Sequence, residues 1–123
     1  MHRYDPNHAP NPEQWLALDE LERIQLVEKQ HRAARVELPN AKGHAIFHAV
    51  VENQIAEGLD AVVRAMARLT GQGLTRHEAI HAIASVLAEQ IHGLLGGEVG
   101  KEHSSAIYTA AVERLDAKDW LER

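Results

Sequence analysis

The amino-acid sequence predicts an all-α protein, a compact antiparallel helical bundle of four to six helices preceded by an extended N-terminal arm. Apolar residues recur at three- and four-residue spacing along most of the chain, whereas the alternation typical of strands is absent. Helix-capping patterns and glycine or proline breaks divide the chain into segments of helical length. The connections between these segments are short, which favours antiparallel packing of neighbouring helices.

The arm comprises residues 1–10, and residues 11–123 form the predicted single helical domain. Prolines at positions 6, 10 and 12 keep the preceding residues out of helical geometry, so the arm is expected to be extended and to lie on the surface. A chain of 123 residues is long enough for one hydrophobic core and too short for two.

Two helix starts follow the arm. Asn11 and Pro12 have the residue types preferred at the N-cap and at the first position of a helix, which predicts a short helix there. Asp19 and Glu22 have the spacing of a capping box. This box predicts a second helix that runs to about Arg35.

Proline and glycine residues mark the helix ends in the middle of the chain. Pro39 ends the second helix, and Asn40 can cap a third helix over residues 41–57. Gly58 can end that helix. A further apolar stripe, ending near Gly71, predicts another helix that is either continuous with the third or kinked from it.

The clearest helix boundary lies at Thr75, which forms a second capping box with Glu78. The helix that it starts should cover residues 76–95 and end at a Gly-Gly pair. A last amphipathic segment covers residues 101–115 and could extend to Trp120.

Composition excludes several classes of function. The formal net charge is −5, and Lys and Arg are scattered among acidic residues, which argues against a nucleic-acid partner. No apolar run approaches the roughly 20 residues of a membrane span. The first residues lack the order of a secretory signal, so we expect a cytoplasmic protein. Because the chain has no cysteine, any metal must be bound by imidazole and carboxylate groups.

Histidine is the outlier in the composition, with nine residues. Since a helix advances about 100° per residue, His44, His48 and Glu52 share one face, beside the apolar stripe expected to face the core. His77 and His81 repeat this spacing on the later helix. Two helices therefore carry histidine pairs at the border of the core.

Residues 77–81 read His-Glu-Ala-Ile-His, the HExxH pattern in which two imidazoles bind zinc and Glu78 can act as general base. His44, His48 or Glu52 could complete the ligand set. The sequence therefore predicts a bound Zn²⁺ or another divalent transition metal. The alternative is that the histidines form hydrogen bonds to carboxylates at the core edge and that Glu78 serves only the capping box.

Glu28 and His31 form a Glu-x-x-His pair on the second helix, a spacing found in bundles that bind metal through carboxylates. A third helix could bring this pair to the same pocket. The alternative is a salt-linked pair of side chains at the border of the surface.

The segments HAIFHAVVENQ (44–54) and RHEAIH (76–81) resemble a family of short bacterial proteins catalogued as domain of unknown function 1841. The likeness covers residues 44–95. It implies a small helical bacterial protein and no particular activity. In this family an acid often precedes the second histidine of the pair, where this chain has Ile80, which argues against a peptidase role for Glu78. The resemblance implies that six residues act as one unit: His44, His48, Glu52, Gln54, His77 and His81.

Three functions are compatible with the sequence. The first is a non-catalytic protein in which a metal ion joins helices, with a homodimer interface as one place for the site. The second is a metal-dependent hydrolase that uses the HExxH pattern, although a conventional protease would need a strand to align its substrate. The third is a metal-free helical interaction module.

Overall fold

The computed structural model describes residues 1, 3–35, 40–97 and 101–122. This part of the chain contains no strand and is built from helices, which confirms the all-α prediction. The predicted break at Pro39 lies outside the described residues. The helices are α1 (Pro12–Ala17), α2 (Glu20–Ala33), α3 (Ala41–Ala56), α4 (Asp60–Gly71), α5 (Arg76–Leu95), α6 (Lys101–Glu113) and α7 (Ala117–Leu121).

The predicted helix starts are confirmed by their capping bonds. The side chain of Asn11 accepts a hydrogen bond from the backbone N–H of Gln14, and α1 begins there. The capping boxes at Asp19 and Thr75 are both complete, with the side chain of the third helical residue bonded back to the cap. These local bonds fix where α2 and α5 begin.

The described part of the chain has seven helices, one more than the upper end of the predicted range. α4 is separate from α3 because Gly58 adopts a positive φ of 74°, which ends α3 and which other residues rarely adopt. The last predicted helix is divided as well. Asp116 caps α7 by accepting hydrogen bonds from the backbone N–H groups of Lys118 and Asp119, so the chain starts a new helix there.

α3 lies at the centre of the fold and packs against α1, α2, α4 and α5. On one side, α5 also packs against α4 and α6, and this part contains the larger hydrophobic core. The smaller core lies on the side of α1 and α2. Its buried residues are Tyr4, Trp15, Val27, Ala45 and Ala49. No helix in the described ranges has both the length and the apolar character needed to cross a membrane.

The N-terminal arm contains no helix in its described residues, but its predicted surface position is wrong for two of them. Tyr4 and Pro6 are both buried. The ring of Tyr4 packs against that of Trp15, with 5.3 Å between the ring centroids. Further along, the side chain of Asn7 accepts a hydrogen bond from the backbone N–H of His77 at the start of α5. The arm is therefore part of the packed structure.

Candidate metal centre

Five histidine side chains from three helices meet between α2, α3 and α5, and we call them the imidazole cluster. His31 comes from α2, His44 and His48 from α3, and His77 and His81 from α5. All of these except His77 offer ring nitrogens that lie within 4.8 Å of one another. The two pairs at four-residue spacing thus face each other as predicted, and α2 brings the fifth ring.

The nitrogen distances have the size expected of ligands that share one ion. The Nε2 atom of His81 lies 3.0 Å from Nε2 of His44 and 3.5 Å from Nε2 of His31. The Nε2 atoms of His31 and His77 are 3.4 Å apart. Zinc–nitrogen bonds of about 2.0–2.1 Å in a tetrahedral site separate the ligand nitrogens by about 3.3 Å. Nε2 of His81 is thus spaced from its two neighbours much as ligands of one ion would be, and the four grouped nitrogens would have to draw closer than 4.8 Å to bind it together.

The cluster extends from the interior to the surface. His48 is fully buried and His31 is nearly so. The other three rings, those of His44, His77 and His81, are half-buried. The cluster is therefore closed on the side of the core and reachable on the side where α3 and α5 approach solvent.

The hydrogen bond of His31 determines which of its ring nitrogens can bind a metal. Nδ1 lies 2.8 Å from the backbone carbonyl oxygen of Val27, one turn earlier on α2. Because a carbonyl oxygen only accepts, Nδ1 carries the proton and donates it. In the neutral ring, Nε2 then has a free lone pair, and this is the atom that faces His77 and His81. A hydrogen bond of this kind orients a metal-binding histidine.

His48 is oriented by Tyr4. The hydroxyl group of Tyr4 donates its proton to Oε2 of Glu52, so its oxygen can accept a hydrogen bond from Nε2 of His48, 2.8 Å away. Nδ1 of His48 is then the nitrogen without a proton. It is buried and has no hydrogen-bond partner in the described structure. An unpartnered buried acceptor is unfavourable, and a metal ion would satisfy it.

Glu52 lies behind His48 and supports it, because its carboxylate bonds to Tyr4 and Arg76. Both terminal nitrogens of Arg76 donate to the two carboxylate oxygens, with Nη1 2.9 Å from Oε2. Nη1 also donates to the carbonyl oxygen of Pro6. Desolvation lowers the pKa of Arg76, but the hydrogen bond and charge of Glu52 outweigh it and raise the pKa. The buried carboxylate is therefore matched by a fixed cation.

Most of the imidazoles are neutral at physiological pH. Desolvation lowers the pKa of His77 to about 4 and that of His81 to about 3, and repulsion between neighbouring imidazolium charges adds to the effect. The same two causes, with burial again the larger, lower the pKa of His44 and of His48. Neutral rings offer lone pairs without competition from protons, as metal binding requires.

Three of the predicted site residues lie outside the cluster. Glu52, predicted as a possible metal ligand, is bonded to Arg76 and is not among the grouped ligand atoms. Glu28 is half-buried on α2, and its carboxylate is not among the grouped ligand atoms. Glu78 accepts a hydrogen bond from the backbone N–H of Thr75 and so completes the capping box. Its carboxylate thus has the structural role that the sequence offered as the alternative to catalysis.

Tyr4 and Arg76 support the site, although no pattern in the sequence indicates this. Tyr4 lies in a proline-rich arm without periodicity, and it meets His48 across 44 residues of sequence. Arg76 is the first residue of α5, directly before the HExxH pattern. Its position there gives no sign that it pairs with Glu52 on another helix.

Replacing Tyr4 with phenylalanine tests whether the hydroxyl group orients His48. We expect Tyr4→Phe to weaken metal binding about 10- to 100-fold, since partners that orient a ligand contribute this much. The matched control is Tyr108→Phe, which removes another buried hydroxyl, one that donates to Gln54. Titration of both variants with Zn²⁺ measures the effect. Equal affinities in the two variants would show that Tyr4 does not orient the site.

The fold and the site together define an all-α protein with a cluster of histidines close enough to bind a metal ion. No protein-family model matches the chain, and neither a curated protein nor a solved structure shows significant similarity to it. The resemblance of residues 44–95 to the bacterial family therefore stays a prediction.

Proposed function

We propose that the chain binds one divalent transition-metal ion, with zinc as the first candidate, and that this ion joins α2, α3 and α5. His31, His44, His48 and His81 would supply the ligands, with His77 beside them. This proposal rests on one observation, that the ring nitrogens of the four ligand histidines come from three helices and lie within 4.8 Å of one another. An ion bound in this way would stabilise the packing of all three helices.

The contacts of the rings favour a metal over a metal-free core. Histidines that only form hydrogen bonds at the core edge would point their nitrogens at carboxylates or carbonyls. Here the Nε2 atoms of His31, His44 and His81 point at other imidazoles. A neutral imidazole nitrogen is either a donor or an acceptor, so Nε2 of His81 can form a good hydrogen bond to one neighbouring ring but not to both His31 and His44. A cation placed among these nitrogens would interact with the lone pairs of all of them.

The same geometry favours a structural role over hydrolysis. A zinc hydrolase of the HExxH type needs a carboxylate near the bound water, but Glu78 completes the capping box of α5. Glu52 is paired with Arg76. The described part of the chain also has no strand that could align a peptide substrate.

All-imidazole ligand sets suit zinc, copper, nickel and iron, and we put zinc first because it is commonly bound in tetrahedral sites.

We also propose a cellular location and an oligomeric state for the protein. A cytoplasmic location fits the absence of cysteine, because disulfides are typical of secreted chains. A homodimer is a further prediction, since histidine metal sites can lie near interfaces between subunits. Size-exclusion chromatography with light scattering would measure the oligomeric state.

Metal content is the direct test of the proposal. Elemental analysis of protein purified without an affinity tag should find one transition-metal ion per chain. We expect His31→Ala and His81→Ala each to remove most of the metal, because each replaces a central ligand. The matched control is His92→Ala, which removes an exposed histidine from the same helix as His81 and should leave the metal content unchanged.

Two outcomes would contradict the proposal. The first is wild-type protein that contains no metal and takes up none when it is dialysed against Zn²⁺, Ni²⁺, Cu²⁺ or Fe²⁺. The second is equal metal content in His81→Ala and His92→Ala, which would place any bound ion outside the cluster.

A further inference from the structure

A cavity of about 280 Å³ opens beside the imidazole cluster, among residues of α3, α5 and α7. The rings of His44 and His81, whose Nε2 atoms lie 3.0 Å apart, line it. Among the residues that the structure describes, Ser85 is the only other polar one that lines it. The remaining wall is apolar and consists of Phe47, Ala84, Ala88 and Trp120.

The positive charge of the proposed ion would favour an anion in this cavity. Neutral imidazole ligands leave the 2+ charge of the ion uncompensated, and a buried charge is costly unless an opposite charge is near it. Glu52 is the buried carboxylate nearest to the cluster, but its charge is matched by Arg76. The charges of Asp5 and Glu78 reach His77, but Asp5 is exposed to solvent and Glu78 completes the capping box of α5. The centre therefore has an unfilled requirement for an anion.

We propose that the cavity binds a small organic monoanion, a carboxylate with an apolar body, whose charged end lies beside the rings of His44 and His81 and within reach of the charge of the metal ion. This inference rests on the proposed metal binding. The apolar wall would bury the body of the ligand, and the volume, below the roughly 300–1,000 Å³ of pockets for drug-sized molecules, limits that body to about one ring. The cavity wall in the described structure contributes no carboxylate that would repel an anion.

Calorimetric titration of the Zn²⁺-loaded protein with benzoate tests the inference. We expect benzoate to bind at one site per chain. Acetate, which has the carboxylate but no apolar body, should bind at least about tenfold more weakly. Benzylamine, which has the ring but a positive charge, should not bind. Metal-free protein should bind benzoate at least about tenfold more weakly than the loaded protein.

A variant that fills the cavity separates this inference from the metal proposal. We expect Ala88→Leu to retain its metal by elemental analysis and to lose at least about tenfold in benzoate affinity. Ala67→Leu, the same change at an exposed position of α4, should change neither property. Should Ala88→Leu not fold, Trp120→Ala removes another part of the apolar wall and should weaken benzoate binding by a similar factor.

The outcomes distinguish the two proposals. Loaded protein that contains the ion but does not bind benzoate would overturn the inference and leave the metal proposal intact. Equal benzoate affinity in the Ala88→Leu and Ala67→Leu variants, or in loaded and metal-free protein, would also overturn it. Protein that takes up no metal would overturn both.

Discussion

Removal of the metal ion is expected to lower the melting temperature of the protein by about 10 °C or more. The proposed ion joins three helices, so folded chains bind it and unfolded chains largely do not. A ligand at about a thousand times its dissociation constant stabilises the folded state by about 4 kcal/mol, and each kcal/mol shifts the melting temperature by several degrees in a chain of this length. Thermal unfolding followed by circular dichroism, with and without a chelator, measures this shift.

The His81→Ala variant is the control for this experiment. It lacks the central nitrogen that lies near both His31 and His44, so a chelator should leave its melting temperature unchanged. The His92→Ala variant should respond to the chelator like wild-type protein. Unchanged helicity and melting temperature of the wild-type protein on chelation would contradict a structural role for the ion.

Replacement of Glu52 with alanine is expected to destabilise the protein by about 3–5 kcal/mol, the range for breaking a buried ion pair. Glu52 is 1% exposed and is bonded to both Tyr4 and Arg76. The variant would leave the guanidinium group of Arg76 without its carboxylate and the hydroxyl group of Tyr4 without an acceptor. Urea unfolding at constant pH measures the change in the free energy of unfolding.

Two further variants test the origin of this effect. Glu113→Ala breaks an ion pair with Arg64 that is exposed on both sides, so its free energy of unfolding should equal that of wild type within error. A double variant, Glu52→Gln with Arg76→Met, removes both charges and should recover part of the stability lost in Glu52→Ala. If Glu52→Ala were as stable as Glu113→Ala, the buried ion pair would not stabilise the fold.

The helices could be predicted because their signals are local. The capping bonds of Asp19, Asn40 and Thr75 each join residues three positions apart, so residue types alone reveal them. The buried position of Tyr4 could not be predicted in this way. It depends on packing against Trp15 and on hydrogen bonds to α3, and the prolines of the arm indicate only that the chain there is not helical.

In the candidate site, too, residues at a regular helical spacing could be predicted, whereas residues that join it from distant segments could not. Four-residue spacing identified the pairs His44–His48 and His77–His81, since residues at this spacing share a helix face. His31 was identified through its spacing from Glu28, yet only the histidine joins the cluster. The roles of Tyr4 and Arg76 depend on contacts between distant segments, for which the sequence offers no spacing rule.

The positions of the proposed ligands along the chain limit the stage of folding at which an ion can bind. His31 and His81 are separated by 50 residues, and the ring nitrogens meet only where α2, α3 and α5 are already packed. An unfolded chain offers at most isolated pairs of imidazoles, which hold metal weakly. A growing polypeptide therefore cannot assemble the full site before α5 has left the ribosome. Uptake of the proposed ion would then mark the completion of tertiary structure and would not begin it.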